Sequence, residues 1–139
     1  MKHHHNITEV MTTDVQTVHR GQTLGDVWSV LQGGGFHHVP VLDGETPIGM
    51  VSSTDILKLV YNYEGTDDRM LRTVLDHEFK LEDAMSNALE TMNVGGTVRR
   101  AADLMADGDI HSVLVLNDDA TLAGIVTSTD LLRFLRDLL

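Results

Sequence analysis

The chain has 139 residues, 42% of them hydrophobic, no cysteine, and a formal net charge of −11 from 10 Lys and Arg against 21 Asp and Glu. Without thiols, disulfides, thiolate catalysis and cysteine zinc sites are excluded, and the acidic balance repels a phosphate backbone, so nucleic acid is not an expected partner. No apolar run approaches the roughly 18 residues that a bilayer span needs, and no secretory signal opens the chain, so no membrane association is expected and the cytoplasm is the default location.

Residues 1–6, with His3 to His5 beside the initiator methionine, read as a disordered tail or tag remnant rather than a metal site. A first structured segment spans 7–61. After Val10-Met11 and a short extended piece around Asp14 to Val18, Thr23 precedes Leu24, Val27, Trp28 and Leu31. Their i, i+3, i+4, i+7 spacing is that of an amphipathic helix, which Gly33 to Gly35 stop. Those glycines lack the GxGxxG and GxxxxGK[ST] spacings of phosphate loops. Val39 to Leu42 and Pro47 to Val51 flank the turn formers Asp43-Gly44-Glu45 and read as a β-hairpin. The hairpin runs straight into a second helix from Thr54 to about Tyr63. Residues 62–80 read as a linker, polar at first, then carrying Met70, Leu71, Val74 and Leu75 at helical spacing.

Residues 81–139 repeat this order. Ala84-Met85 answers Val10-Met11, and Ala88 to Met92 answers the first extended piece. Thr97 opens a helix with Val98, Ala101, Ala102 and Met105 on one face, stopping near Gly108. Small alanines stand where the first copy has Val27 and Trp28. A second hairpin, Val113 to Leu116 and Leu122 to Val126, turns at Asn117-Asp118-Asp119 and feeds a helix from Thr129 to Leu139. IHSVLVL (110–116) matches FHHVPVL (36–42), and GIVTSTDLL (124–132) matches GMVSSTDIL (49–57). Such self-similarity marks an internal duplication. The expected fold class is therefore α/β of the α+β type, two tandem β-α-β-β-α repeats. Because a unit of half this length is marginal alone, the copies are expected to pack on each other.

The sharpest feature is a hydroxyl and a carboxylate three residues apart at each strand-to-helix corner: Ser52 with Asp55, and Thr127 with Asp130. One reading is a capping box, the hydroxyl accepting a first-turn N–H and the Asp favouring the positive end of the helix dipole. The other is a ligand site, the hydroxyl and helix terminus meeting an anion while the carboxylate accepts from a ribose diol. Both use the same geometry.

With the Met11-Thr12 start, the paired HHVPVL and IHSVLVL strands and the two SSTD and TSTD corners in place, each repeat resembles a CBS domain. The whole chain resembles a CBS-domain pair, also called a Bateman module. The resemblance implies a pseudo-twofold pair with two clefts between the repeats, each binding an adenosine-containing ligand: AMP, ADP, ATP or S-adenosylmethionine. It implies that Thr127, Thr129 and Asp130 act with Asp14, Gln16, His37 and His38 in one cleft. In the other, Ser52, Thr54 and Asp55 act with Ala88, Glu90, His111 and Ser112. The aspartates would hold the ribose hydroxyls and Ser52 and Thr127 the phosphate or its substitute. Members that hold several phosphates often carry a basic residue at the places of His38 and Ser112, and here neither is a fixed cation.

Lys58 and Arg133, three residues after each motif Asp, are candidate phosphate partners or solvated charges. Arg99 and Arg100 invite the same two readings, and they oppose the dipole of the helix they open. His37 and His111, at equivalent strand entries, read as packed rather than catalytic. No GxSxG or HExxH occurs, and no nucleophile is paired with an evident base, so no catalytic residue, metal site or required cofactor is expected. The chain thus reads as a regulatory, non-enzymatic sensor. Its expected partners are an adenosine-type small molecule, a second copy of itself through the helices ending at Tyr63 and Leu139, whose apolar residues include Leu135, Leu138 and Leu139, and a regulated enzyme or transporter. Two alternatives stay open: a ligand-free dimerisation or docking module, and a divalent-cation (Mg²⁺) sensor using Asp67, Asp68, Asp107, Asp109, Asp118 and Asp119.

Overall fold

The computed structural model describes residues 4–35, 37–63, 65 and 67–139. His3, and Phe36 at the head of the first repeated strand, lie outside the described residues. In chain order the elements are a 3-10 turn (Ile7–Glu9), β1 (Val18–His19), α1 (Leu24–Gln32), β2 (His38–Asp43), β3 (Thr46–Ser52), α2 (Ser53–Val60), a 3-10 turn (Tyr61–Tyr63), α3 (Asp68–Glu78), α4 (Leu81–Ala84), β4 (Thr91–Asn93), α5 (Val98–Met105), β5 (Ser112–Leu116), β6 (Leu122–Thr127) and α6 (Ser128–Leu138). The chain divides into two compact units that interleave the repeats: Gln16–Ala88, and Met1–Val15 with Leu89–Leu139.

In the Gln16–Ala88 unit, β1 runs parallel to β2, and β2 pairs antiparallel with β3. Thr23 starts α1 by accepting the Asp26 N–H while the Asp26 carboxylate accepts the Thr23 N–H, which satisfies donors that a helix start otherwise leaves bare. The helix buries Leu24 and Val27 against Val39, Val41, Val51 and Ile56. Trp28 is half-buried and packs on the same core. The linker helix α3 completes the cover through fully buried Leu75. It is fastened to the start of α1, where Asp76 Oδ1 accepts the Gly25 N–H at 3.0 Å. Arg72 reaches the Ser29 hydroxyl and the Asp26 carboxylate, the latter at 3.1 Å.

The other unit repeats the plan. β4 is parallel to β5, β5 is antiparallel to β6, and Ile7, Met92, Ala101, Met105, Val113, Val115 and Val126 form its core. Both hairpins slip register at the same place, between Val41 and Leu42 and between Val115 and Leu116. The tight turns use left-handed backbone at Gly44 (φ 63°) and Ala120 (φ 69°).

Each sheet gains an edge from the opening residues of the opposite repeat. Ser86 and Met50 exchange backbone hydrogen bonds of 2.8 and 3.0 Å, and Thr12 and Ile125 exchange bonds of 2.8 and 2.9 Å. These contacts accompany a shift from the sequence expectation. Extended structure read at Asp14 to Val18 and Ala88 to Met92 forms regular strand only at Val18–His19 and Thr91–Asn93, downstream of the isolated bridges that Thr12 and Ser86 make to β6 and β3. The helix read to Tyr63 ends at Val60 and tightens into a 3-10 turn. Two short helical pieces were not foreseen, Ile7–Glu9 and Leu81–Ala84, and they are equivalent. In each the third residue's carboxylate accepts the N–H ahead of the turn, Glu9 from Asn6 and Asp83 from Lys80. Within the segment read as a tail, the His5 carbonyl accepts the Val98 N–H and Asn6 bridges to Thr97, beside fully buried Ile7.

Candidate ligand-binding site

The two motif corners have the same local architecture. Ser52 is both the last residue of β3 and the N-cap of α2, and Thr127 holds the same double position between β6 and α6. With no loop between strand and helix, the hydroxyl is fixed at the helix start. Ser52 Oγ accepts the Asp55 N–H at 3.1 Å and donates to Asp55 Oδ2 at 2.8 Å, while the Ser52 N–H donates to the same oxygen at 2.8 Å. At the second corner the corresponding distances are 3.2, 3.1 and 2.9 Å. The next helical N–H is also taken: Ser53 donates to the His37 carbonyl at 2.9 Å and Ser128 to the His111 carbonyl at 3.1 Å. The capping reading therefore describes the geometry of both corners.

What remains open is chiefly the carboxylate. Oδ2 of each Asp is engaged by its own cap, so Oδ1 is the oxygen left for a ligand. Among the described residues no donor reaches Asp55 Oδ1, whereas Asp130 Oδ1 accepts from the Thr12 hydroxyl at 3.4 Å. Both carboxylates and both capping hydroxyls are half-buried, and Thr54 and Thr129 beside them are exposed.

The first unit gathers Ser52, Thr54, Asp55, His37 and His38, since His38 is the cross-strand partner of Ser52. The second gathers Thr127, Thr129, Asp130, His111 and Ser112, with Ser112 opposite Thr127. The Glu90 carbonyl accepts the Leu114 N–H at 3.0 Å, which fixes the approach to β4. Gln16 and Ala88 belong to the first unit and Asp14 and Glu90 to the second; Asp14, Gln16 and Ala88 are exposed. Histidines read as packed are not: His37 and His111 are exposed, because the backbone carbonyl rather than the ring makes the link to the helix. Lys58 and Arg133 are exposed and form no ion pair among the described residues, and Arg99 pairs with Asp103 along α5 at 3.5 Å. Sequence reasoning missed Thr12 as a neighbour of Asp130. The signal was present in the Met11-Thr12 start, but the long separation in sequence hid its partner.

The CBS domain model matches the chain twice, over residues 7–62 and 81–137, each match including one of the two corners. The chain belongs to the CBS-domain family. This CBS pair is similar to the uncharacterized protein MJ1225 of Methanocaldococcus jannaschii, at 26% identity over 92% of this chain and 46% of that protein. The crystal structure of MJ1225 aligns with a TM-score of 0.78 at 25% identity, covering 97% of this chain and 49% of that one. The structure of CBSX2 in complex with AMP shares the fold at a TM-score of 0.77 and 21% identity, over 96% of this chain and 98% of that one. The CBS domain pair of protein MJ0100, in complex with 5′-methylthioadenosine and S-adenosyl-L-methionine, does so at 0.75 and 20%, over 99% and 100%. The chain spans about half or less of the length of the curated relatives it matches.

Among the described residues no group of three or more His, Asp and Glu is placed to hold a metal ion. No helix there is long and apolar enough to cross a membrane.

Proposed function

We propose that this CBS pair is a regulatory module that senses an adenosine-containing ligand. The observation that carries the reading is the duplicated corner, in which a fixed hydroxyl and a carboxylate with its outer oxygen turned away from the cap stand at a helix N-terminus. A ribose diol supplies two O–H donors for the carboxylate, and an anionic phosphate is favoured at the positive end of the helix beside it. AMP on CBSX2, and 5′-methylthioadenosine with S-adenosylmethionine on MJ0100, support this class of ligand. The ligand contacts we propose are Thr127, Thr129 and Asp130 with Asp14, Gln16, His37 and His38 for one molecule. For the other they are Ser52, Thr54 and Asp55 with Ala88, Glu90, His111 and Ser112. Neither His38 nor Ser112 is a fixed cation, which favours ligands with one phosphate or none over polyphosphates in an acidic chain. Binding to one conformation over another then shifts a population that a regulated enzyme or transporter reads.

A thermal-shift series tests this directly. At a hundredfold excess over its dissociation constant a ligand of the native state adds about 2.7 kcal/mol, on the order of 10 °C for a chain of this size. Stabilisation by AMP, 5′-methylthioadenosine or S-adenosylmethionine is expected. A flat response to all three, and to ADP and ATP, contradicts the proposal and leaves a docking module.

We also propose that the module self-associates through α6. This helix packs inward through half-buried Leu131 and leaves Leu132, Leu135, Leu138 and Leu139 exposed at 64, 49, 59 and 94%. A row of this kind is more apolar than a solvated helix face needs. Sedimentation equilibrium is expected to give a dimer that Leu135→Glu with Leu138→Glu dissociates; a monomeric parent chain refutes it.

A further inference from the structure

The two corners are equivalent in sequence and backbone, yet they differ at one atom. Thr12 and Ser86 occupy matching places: each pairs antiparallel with the residue that follows the repeated glycine, Ile125 and Met50. Both carry a hydroxyl, but only that of Thr12 reaches the motif carboxylate of its own unit, at 3.4 Å from Asp130 Oδ1. Ser86 makes no corresponding bond to Asp55.

We infer that Thr12 is a positioning residue that competes with the ligand for Asp130 and makes the two binding sites unequal, the Asp55 site being the tighter for a ribose diol. The inference rests on the adenosine reading of the corners. A carboxylate oxygen has two lone pairs. Oδ2 of each Asp is occupied by the cap N–H and hydroxyl, so a diol that engages the carboxylate through both its hydroxyls needs both lone pairs of Oδ1. At Asp55 no described residue holds either. At Asp130 one is held by Thr12, so the diol either binds through one hydroxyl or displaces the threonine. The contact is breakable, because 3.4 Å is well beyond the roughly 2.5–2.7 Å of a strong O–H to carboxylate bond, and a ligand hydroxyl at that closer distance wins. The exchange still loses one hydrogen bond on the protein side. The Thr12 backbone bonds to Ile125 do not involve the hydroxyl, so removing the hydroxyl leaves the sheet edge intact.

The test is calorimetric titration of the full chain with AMP, 5′-methylthioadenosine and S-adenosylmethionine, comparing the parent with Thr12→Val and Thr12→Ser. Asp55→Ala and Asp130→Ala assign the two classes of site. Thr12→Val is expected to tighten the class that Asp130→Ala abolishes by about two- to threefold, the low end of the exchange value of a hydrogen bond, as suits a 3.4 Å contact. It leaves the Asp55 class unchanged, and Thr12→Ser, which keeps the hydroxyl, stays near the parent. The gain should vanish with 2′,3′-dideoxyadenosine, which lacks the diol, whereas a general loosening of the fold would act on all ligands alike. Binding that Thr12→Val leaves unaltered or weakens overturns the competition alone. No binding of any ligand to the parent overturns the adenosine reading and the competition with it.

Discussion

At single residues the fold is decided by a few close approaches. Gly49 and Gly124 open the two repeated motifs because a methionine lies over each. A Cβ on Gly49 would stand 2.2 Å from both Cγ and Sδ of Met85, so that side chain must turn about χ1 to clear it. A Cβ on Gly124 would stand 2.7 Å from the Thr12 carbonyl oxygen, a backbone atom held in the sheet edge, as well as 2.9 Å from Met11 Sδ. Gly124→Ala is therefore expected to destabilise by about 2–3 kcal/mol and Gly49→Ala by about 1 kcal/mol, within the usual range for overpacking. Urea denaturation of the two variants checks the order, and equal losses contradict it. Asp119 gives a second residue-scale expectation. The Thr121 hydroxyl at 2.6 Å and the Thr121 N–H at 3.1 Å stabilise its ionised form and hold the carboxyl below its ordinary value. A depressed folded value means the contribution to the loop is complete above the unfolded value, about pH 4, and is lost as pH falls through the lower folded one. An NMR titration should show the Asp119 midpoint rising in Thr121→Val, and an unchanged midpoint argues against the hydroxyl as its cause.

At the scale of elements, the strongest sequence signals were those with local causes. Thr23 and Thr97 cap α1 and α5 where the spacing of Leu24 with Val27, and Val98 with Ala101, required helices. Gly44 and Glu45, and Asn117 to Asp119, lie between the strands they were expected to join, while Asp43 closes β2 opposite Thr46. The motif corners were legible for the same reason, since an N-cap hydroxyl and its N3 carboxylate are neighbours in sequence. What sequence did not show depends on distant partners. The isolated bridges of Thr12 to Ile125 and of Ser86 to Met50 precede β1 and β4, and the Thr12 bond to Asp130 joins residues 118 apart in sequence. The extra helix in the linker was read from Met70, Leu71, Val74 and Leu75, but its docking on α1 through Arg72 and Asp76 was not. Magnitudes decide which of these contacts holds α3. The Arg72 pair with Asp26 is nearly half-exposed on the arginine side, and such pairs contribute about 1 kcal/mol at most. Leu75 is fully buried, and truncating such a side chain costs about 2–5 kcal/mol. Leu75→Ala should thus lower the denaturation midpoint far more than Arg72→Ala, as measured by circular dichroism. A larger loss for Arg72→Ala contradicts this ranking.

For the whole molecule, duplication gives two units whose cores, hairpin slips and motif corners correspond, each completed by the opening segment of the other repeat. Family membership follows from both repeats together, and the proposed activity follows from the corners they duplicate. In the proposed function, Asp55 and Asp130 are the ligand-holding groups of an adenosine sensor. Their substitution also removes a capping partner, at about 0.5–2 kcal/mol each, so folding must be verified alongside binding. The most direct measurement is isothermal titration of AMP and S-adenosylmethionine into the parent chain, Asp55→Ala, Asp130→Ala and the double variant, with each shown to be folded by circular dichroism. Saturable binding by the parent, loss of one class of site in each single variant and loss of all binding in the double variant are expected. Binding that survives in the folded double variant, or none in the parent, contradicts the claim.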